Sequence, residues 1–193
     1  MDCCNGFLIT NMPKSYNGIS YCGIETDTFP LGEAELSTNM TNEQQKSLEE
    51  ILLFPENGIS LLDLELARAY YLCCKNNNEN TRVLYAEVVS EDNNLNEAWR
   101  DLYGKPQCFL GFDIGDCAYD FYSCVLNDII INPQKVNPEF KDKLNKNGLF
   151  DNIQDARDFL KMRERIVLES SGVEFEATEG KIIALYEVSD GLK

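Results

Sequence analysis

Residues 82–90 read Arg82-Val83-Leu84-Tyr85-Ala86-Glu87-Val88-Val89-Ser90. In an extended chain Val83, Tyr85, Glu87 and Val89 share one side, and Leu84, Ala86 and Val88 share the other. The alternation predicts a strand with one face well buried. Residues 151–169 carry the opposite signal. Ile153, Ala156, Phe159, Leu160, Met162, Ile166 and Val167 fall at helical spacing, while Asp158, Lys161 and Arg165 lie on the wet side. Asp151 is the expected cap of this helix. The two periods occur without a regular β-α-β alternation. The expectation is therefore an α+β fold, in which a mixed or antiparallel sheet packs against several helices. With no internal repeat or low-complexity linker to divide it, the chain of 193 residues reads as one compact domain over residues 1–193.

The flanking segments fill in this frame. Phe7-Leu8-Ile9 and Ile19-Ser20-Tyr21-Cys22 suit short strands, with Asn17-Gly18 as a turn between them. Residues 25–40 read as an acidic loop. Thr41 precedes Gln44 by three residues, a capping-box pattern, and Leu48, Ile51 and Leu52 continue the helix up to Pro55. Ser60 is placed to cap a second helix to about Lys75. It is apolar almost all round and is expected to lie centrally, although Leu62 to Leu66 also alternates like a strand. Residues 94–103 suit a short helix carrying Trp99, and 108–112 a strand. Residues 119–131 are ambiguous between helix and strand. Residues 132–138 form a connector, 139–145 a short helix, and 173–188 a hairpin turning at Thr178-Glu179-Gly180-Lys181.

Composition narrows the functional classes. A hydrophobic content of 44% supports a core without cross-links. No apolar run approaches the ~20 residues of a membrane-spanning helix, so no membrane partner is expected. Met1-Asp2-Cys3-Cys4 lacks the basic start and apolar stretch of a secretory signal, which points to the cytoplasm. In that compartment the eight cysteines are expected as reduced, buried thiols. Cys3-Cys4 and Cys73-Cys74 are adjacent pairs without the two-residue gap of zinc or redox motifs, and the chain has no histidine. No cofactor is called for.

The segment Gly111-Phe112-Asp113-Ile114-Gly115-Asp116-Cys117-Ala118-Tyr119-Asp120 places three carboxylates near two glycines after a strand. Clustered oxygens suit a hard cation. The spacing nevertheless matches no calcium loop, and a solvated turn explains it as well. A metal-dependent hydrolase built on Asp113, Asp116 and Asp120 therefore stays an alternative. Serine or cysteine nucleophiles lack their usual histidine base, no Gly-x-Ser-x-Gly elbow is present, and acidic neighbours hold thiols protonated. The chain is not expected to be an enzyme. Its lysines and arginines between 135 and 165 are interleaved with acids, a pattern of helix-surface ion pairs, so no direct nucleic-acid ligand is expected.

The uneven charge is more informative. The chain holds 33 acidic and 17 basic residues, for a net charge of −16. Residues 21–65 carry ten acids against Lys46 alone, and residues 83–128 carry nine against Arg100 and Lys105. The surplus in these two stretches equals the entire net charge. Gathered on one face, it would draw in a basic protein and speed its capture. This profile resembles that of the immunity proteins of bacterial toxin systems: one acidic domain, no catalytic motif, and a toxin or nuclease partner that is often cationic. The resemblance is one of physical class and rests on no motif. It implies steric blocking with charge complementarity, through Asp113, Asp116 and Asp120, with residues 25–35 and Glu91-Asp92 in support. Tyr119, with Phe121 and Tyr122, would supply aromatic anchors. A DNA mimic that captures a DNA-binding protein is a further alternative. Nothing in the residues sets the oligomeric state.

Overall fold

A computed structural model describes residues 6–23, 40–53, 64–77, 79–89, 108–116, 122–169 and 180–188. The strands are β1 (Gly6–Asn11), β2 (Lys14–Tyr16), β3 (Ile19–Tyr21), β4 (Thr81–Val88), β5 (Cys108–Asp116), β6 (Tyr122–Ser123) and β7 (Lys181–Glu187). The helices are α1 (Asn42–Leu53), α2 (Leu64–Asn77), α3 (Glu139–Asp142) and α4 (Ile153–Glu169), with a π-helix at Val125–Ile131 and a 3₁₀ turn at Pro133–Lys135. Five strands form an antiparallel sheet in the order β1-β4-β7-β5-β6, and β2-β3 is a separate hairpin. The fold class is α+β.

Local chemistry accounts for the predicted pieces. Asn17 and Gly18 both take positive φ, at 50° and 78°, which suits the two-residue turn joining β2 to β3. Thr41 and Gln44 form the expected reciprocal cap of α1. The Thr41 amide donates to Gln44 Oε1 at 2.9 Å, and the Gln44 amide donates to Thr41 Oγ1 at 3.2 Å. The cap of α4 sits one residue later than expected. Asn152 Oδ1 accepts the Asp155 amide at 2.8 Å, while Asp151 Oδ1 accepts from Asn145 Nδ2 at 2.8 Å.

Both faces of the sheet are covered, not one. On one face Tyr85, Ala184, Tyr186, Phe112, Ile114 and Ile182 meet Ala156 and Phe159 of α4 together with Phe140, Phe150 and Ile129. The rings of Phe140, Phe150 and Phe159 pack against one another with centroids 5.3–6.4 Å apart. On the other face Leu8, Leu84, Ala86, Leu110, Ile183 and Leu185 meet Met12, Tyr21 and Cys22 from the hairpin region, Leu126 and Ile130 from the π-helix, and Leu149. The β2-β3 hairpin is tied there by polar bonds: Asn17 Nδ2 donates to the Ile130 carbonyl at 2.8 Å, and the Cys22 amide to the Asn147 carbonyl at 2.9 Å.

Three expectations change. Helix α2 is amphipathic and not central, since Leu66, Ala67 and Tyr71 are buried against the sheet while Glu65, Arg68 and Leu72 face out. In α4, Ile166 is exposed, although its spacing placed it with the core. Strand β7 is central: β4 occupies one edge and β5 the other. Its neighbours are thus not the segment 173–177 proposed as a hairpin partner, whose residues lie outside the described ones. The expected helix at 94–103 also lies outside them. The ambiguous stretch 119–131 resolves, within its described part, into β6 followed by the π-helix.

Candidate functional site

Strand β5 runs four residues past Phe112, where the sequence suggested an end. Gly111 sits at a bulge between Phe109 and Gly111, with φ of 142°. A Cβ there would stand 2.6 Å from Leu149 Cβ and 2.9 Å from the Phe150 carbonyl oxygen. The segment 145–150 lies against this bulge. Asn145 Nδ2 and Asn147 Nδ2 donate to the Leu110 carbonyl at 2.8 and 2.9 Å, and Phe112 and Phe150 exchange backbone bonds.

Beyond the bulge, Asp113 is fully buried on the face covered by the hairpin. Tyr21 of β3 donates its hydroxyl to Asp113 Oδ2 at 2.6 Å. Ser123 of β6 donates its hydroxyl to Oδ1 at 2.7 Å, and the Ile114 amide donates to the same oxygen at 2.8 Å. Ser123 Oγ in turn accepts the Leu126 amide at 3.0 Å, which caps the first turn of the π-helix. Gly23 closes the group: a Cβ there would lie 2.3 Å from the Tyr21 hydroxyl and 2.6 Å from Asp113 Oδ2. Three separate elements thus converge on one carboxylate.

Ser123 stands beside a carboxylate, but both residues are sealed from solvent, at 2% and 0% exposure, so no substrate reaches them. Asp113 does not reach a docking partner either, which corrects its assignment to a contact surface. The strand continues through it, and the hairpin covers it. Both of its oxygens accept bonds from protein groups. Asp116 ends β5, with its backbone in register with Tyr122. Tyr119, Asp120, Glu91 and Asp92 lie outside the described residues. Among the described residues no three carboxylate or thiol side chains gather as metal ligands.

The acids of the second stretch are partly internal. Glu87 is 4% exposed. Asp128 Oδ2 accepts from Arg163 Nε at 3.1 Å in a pair that is mostly shielded. In the first stretch Glu43 and Glu65 are exposed. Among the basic residues, Lys143 Nζ contacts Asp155 Oδ1 at 2.6 Å and lies over the Phe140 ring. Their hydrogen bond holds the Asp155 carboxyl below its ordinary range and the Lys143 ammonium above its own. Of the described cysteines, Cys22 and Cys124 are buried thiols outside any disulfide, with burial pushing the Cys22 thiol up. Cys108 is free but exposed, contrary to the expectation of burial.

Tyr21 and Ser123 were not foreseen as partners of Asp113. Their contacts span 92 and 10 residues of chain. The one local hint is Asp113 itself, set between Phe112 and Ile114 in an alternating run. Among the described residues, no helix is long and apolar enough to cross a membrane. Comparison with protein-family models, with characterised proteins and with solved structures returned no match.

Proposed function

We propose that this chain works by docking on a basic protein, as an immunity-type inhibitor that blocks a cationic toxin or nuclease. The observation that carries the reading is the charge of residues 21–65, ten acids against Lys46 alone. A surface of that sign steers a cationic partner and suppresses wrong ones. The exposure of Glu43 and Glu65 on separate helices supports it. The burial of Asp113 in β5 and of Glu87 in β4 shifts the proposed contact away from these two strands' interiors. The candidates are residues 25–35 with Glu43 and Glu65, joined by Asp116, Asp120, Tyr119, Glu91 and Asp92. The cell compartment proposed for the encounter is the cytoplasm.

The test is co-precipitation from the native cell at low and high salt, followed by inhibition of the purified partner. The expected result is a basic protein whose activity falls stoichiometrically, with association slowed by salt. Reversing Glu25, Asp27, Glu33 and Glu35 to lysine is expected to weaken binding by about tenfold or more. Capture of no basic protein, or inhibition indifferent to that reversal, overturns the reading.

A further inference from the structure

The sequence holds Asn-Gly pairs, and two lie wholly within the described residues: Asn17-Gly18 and Asn147-Gly148. In such a pair the glycine amide nitrogen is free of side-chain hindrance and can attack the asparagine side-chain carbonyl. The structure treats the two pairs in opposite ways. Asn147 Nδ2 is held by the Leu110 carbonyl at 2.9 Å, and the Gly148 amide is held by the Asn145 carbonyl at 3.0 Å. Gly148 is buried, and a Cβ there would lie 2.6 Å from the Ser20 carbonyl oxygen. Both reacting groups are thus engaged and the backbone is wedged. Asn17 and Gly18 are exposed at the tip of the β2-β3 hairpin, and a Cβ on Gly18 would have nothing within 4 Å. The Asn17 amide is tied by one bond, to the Ile130 carbonyl at 2.8 Å. The hairpin has only three residues in each strand, so opening its turn costs the Asn17 bond to Ile130 and the Tyr16–Ile19 end of a short ladder.

We propose that Asn17-Gly18 is a site of spontaneous deamidation, and that the fold protects Asn147-Gly148 from the same reaction. The Gly18 nitrogen bonds to Asn17 Cγ, the Cγ–Nδ2 bond breaks, and ammonia leaves with the proton from the Gly18 nitrogen. Water then opens the resulting succinimide. Attack at the side-chain carbonyl gives aspartate, and attack at the Asn17 backbone carbonyl gives isoaspartate. No electrons are exchanged with any other group. The product loses the donor to Ile130 and gains a negative charge. The isoaspartyl form also adds a methylene to the main chain within a two-residue turn. That addition breaks the Tyr16–Ile19 register and displaces the strand that ends at Tyr21.

The test is a peptide map of the full chain aged at mildly alkaline pH, once native and once in denaturant. The denatured sample gives the intrinsic ratio of the two sites, and the native ratio is divided by it. The expected result is a normalised preference for Asn17 over Asn147 on the order of tenfold, because local opening is the easier route at the tip. A normalised ratio of one or below overturns the proposal. Asn17→Gln is expected to abolish isoaspartate at this position while leaving the slow reaction at Asn147 unchanged. Isoaspartate formation at 147 at the rate expected for 17 also overturns it.

Discussion

The two faces of the central sheet are closed by different chemistry. Over one face, Phe140, Phe150 and Phe159 form a ring cluster, and the closure is apolar. Over the other, the β2-β3 hairpin sits on aliphatic residues but is fixed by Tyr21 on Asp113, Asn17 on Ile130 and Cys22 on Asn147. An apolar closure asks for volume and shape, and it tolerates exchange among hydrophobic residues. A polar closure asks for particular atoms, because each donor left without its acceptor costs its full desolvation. Burial alone does not distinguish them, since Asp113 and Phe159 are both 0% exposed.

Substitutions at these two positions are the strongest way to break the comparison. Asp113→Ala removes the acceptor of three donors and is expected to destabilise the fold by about 3 kcal/mol or more. Phe159→Leu keeps an apolar side chain in place and is expected to cost only about 1 kcal/mol. Urea unfolding monitored by circular dichroism measures both. A larger loss for Phe159→Leu would mean that ring geometry, not atom identity, is the stricter demand. A smaller effect sharpens the account of α4: Asn152→Ala is expected to cost about 1 kcal/mol and Asp151→Ala less than half as much, because Asn152 holds the cap.

The smallest effect comes from the surface pair Lys143–Asp155. The carboxyl of Asp155 is lowered, so its contribution is present above the ordinary carboxylate range of ~3.9 and fades as pH falls through the lower folded value. The ammonium of Lys143 is raised, so its contribution is present below ~10.4 and is lost as pH rises through the higher folded value. Lys143→Ala is expected to flatten the acid limb of a stability–pH curve slightly, with the midpoint in urea at neutral pH nearly unchanged.

Local signals in the sequence were legible where the structure answers them locally. The Asn17-Gly18 turn, the Thr41–Gln44 cap, the strand at residues 82–90 and the period of α4 all follow from residues a few positions apart. The place of β7 did not follow, because its neighbours β4 and β5 lie far earlier in the chain and no local pattern names them. The same limit hid the fate of Asp113. Its segment looks like a solvated turn when the strand is ended at Phe112, and the residue that covers that carboxylate, Tyr21, lies 92 residues away. Glu87 shows the same thing in β4, where alternation placed it correctly on a face but not beneath a cover.

The middle position of β7 has a consequence for biosynthesis. Strands β1 and β4 pair with each other, and β5 pairs with β6, without β7. What joins these two halves is the last of the five strands to leave the ribosome. Until it is made, β4 and β5 each present an open edge, the state in which chains stick to other chains. Translation of residues 181–187 therefore supplies the strand that pairs with both halves, and pauses before that point prolong the interval in which those two edges stay open.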